Sequence, residues 1–162
     1  MIEIKQTSGI YTLLNKQILP LSIDEAWSFF SAPKNLTKLT PTTMNFEITN
    51  GEYDEIYAGQ IITYMVSVLP GMRTKWVTEI THVLAKTYFV DEQRFGPYAL
   101  WHHEHHFKET DKGTLIHDKV VYKLPLGTVG RFVAGRFIES KLRTIFGYRE
   151  AFLHRNFVQL NA

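Results

Sequence analysis

After Gly127 the hydrophobic pattern of this chain changes period, and that change limits the possible folds more than any other feature of the sequence. From Met44 to Leu124 apolar and polar residues alternate, as they do in half-buried β-strands. Beyond Gly127 the apolar residues recur at helical spacing: Val129, Phe132, Val133 and Phe137, then Ile138, Leu142, Ile145, Phe146, Phe152 and Leu153. The spacing predicts one terminal helix of about 30 residues. Gly130, Gly135 and Gly147 lower its propensity. Strands joined by short turns make an antiparallel sheet, and its apolar face needs a cover. The terminal helix is the one element long enough to provide it. A strongly curved sheet wrapped around a single helix leaves a gap, and an apolar gap is a ligand site.

The earlier elements follow from local signals. Gly9 to Leu19 reads as a first strand, ended by Pro20. Ser22-Ile-Asp-Glu25 is a capping box that starts a helix over Ile23 to Phe30, with Ala26, Trp27 and Phe30 inward. Ser31-Ala-Pro33 breaks it, and a second short helix runs from Lys34 to Leu39, stopped before Pro41. Strands are expected at Met44–Thr49, Ile61–Val68, Met72–His82, Thr87–Phe95, Tyr98–Lys108 and Thr114–Leu124. Leu69-Pro-Gly-Met72 suits a type II turn, and Thr110-Asp-Lys-Gly113 turns the chain into the last strand. The expected product is one α+β domain over residues 1–162. Its curved, seven-stranded antiparallel sheet wraps around the terminal helix, with two short helices after the first strand.

Composition removes several function classes. Apolar content of 44% and charged content of 21% are those of a folded globule. The absence of cysteine excludes a disulfide framework and a zinc–thiolate site. The first residues lack an apolar signal core, and no stretch approaches the roughly 18 apolar residues of a membrane span. A cytoplasmic location without stable membrane insertion is therefore expected. Arg131, Arg136, Lys141, Arg143, Arg149 and Arg155 scatter around the helical wheel, which speaks against a nucleic-acid partner. No phosphate-cradling glycine pattern and no nucleophile elbow is present. Monomer and homodimer both stand open.

The chemistry concentrates in Trp101-His-His-Glu-His-His-Phe107. Strand alternation puts Trp101, His103, His105 and Phe107 on one face and His102, Glu104 and His106 on the other. In the next strand Ile116, Asp118, Val120 and Tyr122 share the less charged, inner face. The turn at Thr110–Gly113 sets a register in which His105 faces Asp118 and His103 faces Val120, with Cβ atoms about 5 Å apart. A buried carboxylate needs partners. The pair can hold the strands in register, orient the polar group of a ligand, or move a proton. A His-x-His pair with an acid can also supply facial metal ligands. Phe89, Asp91, Gln93 and Phe95 share a face opposite Tyr88, Val90, Glu92 and Arg94, and alternation leaves open whether Asp91 or Glu92 points inward.

Several segments resemble a known superfamily. They are Ser22-Ile-Asp-Glu-Ala-Trp-Ser-Phe-Phe-Ser-Ala-Pro-Lys-Asn-Leu36, Phe89-Val-Asp-Glu-Gln-Arg-Phe-Gly-Pro-Tyr98, Trp101 to Phe107, Asp118-Lys-Val-Val-Tyr-Lys-Leu-Pro125 and Ile145-Phe-Gly-Tyr-Arg149. Over residues 9 to 158 the chain resembles the START-related, birch-pollen-allergen-like (SRPBCC) superfamily, in a small stand-alone bacterial branch described as ligand-binding or polyketide cyclase/dehydrase-like. The resemblance implies a helix-grip fold and a small hydrophobic or amphipathic ligand: a lipid, polyketide or isoprenoid-like molecule. It implies no cofactor and no metal.

The expected binding wall on the sheet is Trp76, Phe89, Trp101, Phe107, Val120 and Tyr122, with His103, His105 and Asp118 as its polar group. Phe132, Phe137 and Ile145 are expected to close it from the helix. The alternative is a cyclase, dehydratase or aromatase-like enzyme. There His105, oriented by Asp118, moves a proton, and Tyr122 donates to a carbonyl oxygen.

Overall fold

The computed structural model describes residues 2–69 and 71–158. Its antiparallel sheet has eight strands in the order β1-β2-β8-β7-β6-β5-β4-β3. They are β1 (Ile2–Thr7), β2 (Ile10–Leu19), β3 (Glu47–Ile48), β4 (Gln60–Leu69), β5 (Met72–Leu84), β6 (Tyr88–Phe95), β7 (Leu100–Thr110) and β8 (Gly113–Lys123). Two α-helices complete it, α1 (Ile23–Phe30) and α2 (Gly127–Leu153), the latter ending in a π-helical turn over His154–Val158. The type II turn expected at Leu69–Met72 includes Pro70 and lies outside the described residues.

The sheet has one strand more than expected, β1. It pairs with β2 through a tight turn at Ser8 and Gly9, whose φ angles of 52° and 84° suit the twist of a hairpin. Ile2 and Ile4 are half-buried against the core below β2, while Glu3 and Lys5 face water. The strand expected at Met44–Thr49 shrinks to two residues. A 3₁₀ turn over Thr42–Met44 and a left-handed Asn45 (φ 44°) turn Met44 into the core beside Val66 and Trp76. The second short helix is a 3₁₀ helix, Pro33–Thr37, whose proline suits its first turn.

The capping box forms as read: the Glu25 backbone N–H donates to Ser22 Oγ (3.2 Å) and the Ser22 N–H to Glu25 Oε2 (2.9 Å). Bulges in the β5/β6 ladder, between Val77 and Thr78 and between Ile80 and His82, bend and twist these strands locally. Large buried side chains of α2 begin at Ile138 and continue with Leu142, Phe146 and Leu153. Ile138, Leu142 and Phe146 pack on Tyr11, Leu13, Val120 and Tyr122. The first turns of α2 carry exposed apolar residues instead: Val129, Val133 and, at 94% exposure, Phe132. Among the described residues no helix is long and apolar enough to cross a membrane.

Gly113 carries the β7–β8 turn at φ 113°, and a Cβ there would lie 2.1 Å from the Leu19 carbonyl oxygen. Neither strain can relax without moving β2. Gly113→Ala is expected to lower the unfolding free energy by about 3 kcal/mol, as read by urea denaturation.

Candidate functional site

A cavity of about 180 Å³ lies between the concave face of the sheet, the short helices and α2. Strands β5, β6 and β7 supply Trp76, Phe89, Asp91, Trp101, His103 and His105, and α2 supplies Ile145, Phe146 and Arg149. Phe29, Phe30, Leu36 and Leu39 close one side, and Tyr64 and Tyr98 another. Tyr98 is held in place by Gln93, whose Nε2 donates to the Tyr98 carbonyl (2.8 Å) and whose Oε1 accepts the Tyr98 N–H (3.2 Å). The short Gly96-Pro97 link between them is thereby held in place.

The wall is apolar except at one end. There the register pairs His105 with Asp118 and His103 with both Val120 and Asp91. Asp91, not Glu92, points inward, and Glu92 instead contacts His102 on the outer face (2.7 Å). Asp91 Oδ2 lies 2.9 Å from His105 Nε2 and 3.3 Å from His103 Nδ1. On the far side of the rings, Asp118 Oδ1 lies 3.2 Å from His103 Nε2 and 3.0 Å from His105 Nδ1. The last contact is close but out of line for a hydrogen bond. The two imidazoles lie side by side, 3.7 Å between centroids and tilted by 39°, and each bridges the same two carboxylates. Arg149 Nη1 stands 3.6 Å from Asp118 Oδ1, and its guanidinium lies over the Phe146 ring at 5.0 Å.

Burial opposes charge on Asp91, Asp118 and His103, but the attraction of their neighbours outweighs it. Facing His103 and His105 bring the Asp91 carboxyl below the usual carboxylate range. The same two rings, with Arg149, hold Asp118 well below it. Asp91 and Asp118 raise the His103 pKa above the ordinary histidine value despite its burial. Burial pushes the phenols of Tyr64 and Tyr98 upward, so both stay protonated.

Six of the expected wall residues line the cavity: Trp76, Phe89, Trp101, His103, His105 and Ile145. Asp118 sits behind the histidine rings. Phe107 and Val120 are buried in the core away from the cavity, Phe107 edge-on to Trp27 and Phe30 at 5.5 Å. Tyr122 has no exposure, stacks on Tyr11 at 4.9 Å and does not reach the cavity, so a catalytic donor role has no geometric basis. Its hydroxyl has no partner among the described residues. Tyr122→Phe is therefore expected to leave stability unchanged or raise it by up to about 1 kcal/mol, checked by thermal unfolding. Phe132 and Phe137 are corrected too: they are 94% and 44% exposed and do not line the cavity.

The sequence reading missed Arg149, Tyr64 and Tyr98. Arg149 carried a usable signal: it follows Ile145 by four positions, which puts both on one face of α2.

No protein-family model matches the chain, and no curated protein does. Solved structures do. Protein Ms6760 from Mycobacterium smegmatis is 16% identical, superposes with a TM-score of 0.67, and the match covers 96% of this chain and 99% of that one. A protein from Arthrobacter aurescens, solved by NMR, is 11% identical with a TM-score of 0.68, over 94% and 91% of the two chains. Ara h 8.0201 is 16% identical with a TM-score of 0.60, over 91% and 100%. At these identities the likeness is one of fold, and the fold of this chain is the α+β helix grip.

Proposed function

We propose that this protein binds a small, flat, amphipathic molecule, its ring system among the aromatic walls and its oxygen head at the histidine–carboxylate end. One observation carries this reading: buried donors at the cavity have no hydrogen-bond acceptor among the described residues. Trp76 Nε1 and Arg149 Nε and Nη1 are buried and donate a hydrogen bond to no acceptor among the described residues, and both side chains line the cavity. Buried donors are rarely left unpaired, and a ligand oxygen supplies the missing acceptor. The volume of about 180 Å³ sets the scale. A cavity of about 150 Å³ accepts benzene, so one or two fused rings fit without moving the walls.

Quenching of tryptophan fluorescence by naphthoate, naphthalene and decanoate tests the reading. Naphthoate is expected to bind most tightly. Trp76→Phe, which keeps a ring and removes the N–H, is expected to weaken naphthoate by roughly 3- to 10-fold and to leave naphthalene unchanged. Absence of binding by all three probes, with no small molecule in native mass spectra of gently purified protein, overturns it.

A second reading rests on His105, which lines the cavity and holds Asp91 at 2.9 Å, the contact an acid–base catalyst needs. It expects turnover of a polyketide-like β-keto substrate with a bell-shaped rate profile that collapses in His105→Ala.

A further inference from the structure

We infer that Asp91, His103 and His105 form a binding site for a divalent first-row transition metal, opening onto the cavity. His103 Nδ1, His105 Nε2 and Asp91 Oδ2 lie within 4.8 Å of one another. The two edges that meet at Asp91 Oδ2 measure 2.9 and 3.3 Å. Three ligands about 2.1 Å from one ion, at right angles, stand about 3 Å apart; the two Asp91 edges match that spacing, and the two imidazole nitrogens, within 4.8 Å of each other, draw together on binding. Two imidazoles and one carboxylate on one face leave the opposite coordination positions free. That donor set favours iron, cobalt, nickel or zinc over calcium or magnesium.

A second observation points the same way. In metal sites the ligating imidazoles hold a carboxylate through their other nitrogen, which fixes tautomer and ring orientation. Here the nitrogens pointing away from the triangle lie against Asp118 Oδ1: His103 Nε2 in a hydrogen bond at 3.2 Å, and His105 Nδ1 at 3.0 Å, close but out of line. Asp118 does not line the cavity, whereas the three candidate ligands do. The ligands are thus in front and their support behind. Arg149 in turn holds Asp118 at 3.6 Å. Binding replaces the proton shared between the front nitrogens and Asp91 by the ion, and the free positions face the space assigned above to a ligand's oxygen head. The site deepens that reading but does not need the organic ligand.

The test is a titration of the full chain, stripped with chelator, by Co(II) alone. One equivalent is expected to bind and to develop visible d–d absorption unlike that of the aqua ion. Asp91→Asn and His105→Ala are expected to weaken binding at least 100-fold, and Asp118→Asn roughly 10- to 100-fold. The double substitution H102A/H106A, which removes imidazoles of the outer face, is expected to leave it intact. An unchanged aqua-ion spectrum, or binding lost in the outer-face variant and retained in His105→Ala, overturns the proposal. Should an inner variant fail to fold by near-ultraviolet circular dichroism, X-ray absorption of the zinc-loaded wild-type protein decides. Two imidazole nitrogens and a carboxylate oxygen support the site, and fewer than two imidazoles overturn it. Loss of metal binding with naphthoate binding retained separates this failure from failure of the ligand reading.

Discussion

Asp118→Ala lowers the unfolding free energy by about 3–5 kcal/mol, the largest loss expected for a polar residue in this fold. Asp118 is 3% exposed and faces both buried histidines and Arg149. Removing it strands the Arg149 guanidinium, itself 7% exposed, without a carboxylate. A buried ion pair is worth little against an apolar replacement, but half of one is expensive. The double variant D118L/R149M, which removes both charges, is therefore expected to be more stable than Asp118→Ala. Urea denaturation of the three proteins checks both statements. A loss below about 1 kcal/mol in Asp118→Ala would mean that water reaches the cluster.

Phe146→Ala is expected to cost a similar amount, about 3–5 kcal/mol, by a different route. Phe146 is 2% exposed. It packs with Leu142 and Ile138 on β2 and β8, stands edge-on to His103 at 5.9 Å and carries the Arg149 guanidinium. It also lines the cavity, so its removal enlarges the binding space as it loosens the helix. For a domain of this size a loss of that order lowers the melting temperature by roughly 10–15 °C. Calorimetry reads that shift. A larger ring system added to the variant should recover part of it, because the ligand fills what the side chain left.

The strand alternation and the turn at Thr110–Gly113 were enough to place His105 opposite Asp118, since a hairpin register is local information. The capping box fixed the start of α1 for the same reason. What escaped depended on long-range packing. β1 escaped because an edge strand that alternates Ile with Glu and Lys over six residues gives a weak signal. The inward choice of Asp91 over Glu92 is set by the ladder to β7, not by anything within β6. Arg149 escaped because its partner lies on β8, and the rotation of α2 that joins them is decided by Leu142 and Phe146. Phe132 and Phe137 failed in the opposite sense: their helical spacing is genuine, but periodicity cannot tell which apolar residues of a helix the sheet covers.

The doubly bridged imidazoles have a consequence for how quickly and tightly the site can be occupied. Each ring has a carboxylate at both nitrogens, so neither can flip or swing without surrendering a contact. Their rotamers are chosen when the chain folds, long before any guest arrives. Association then carries almost no penalty for freezing side chains at this end of the cavity, and a guest too small to bury much surface can still reside there for long times.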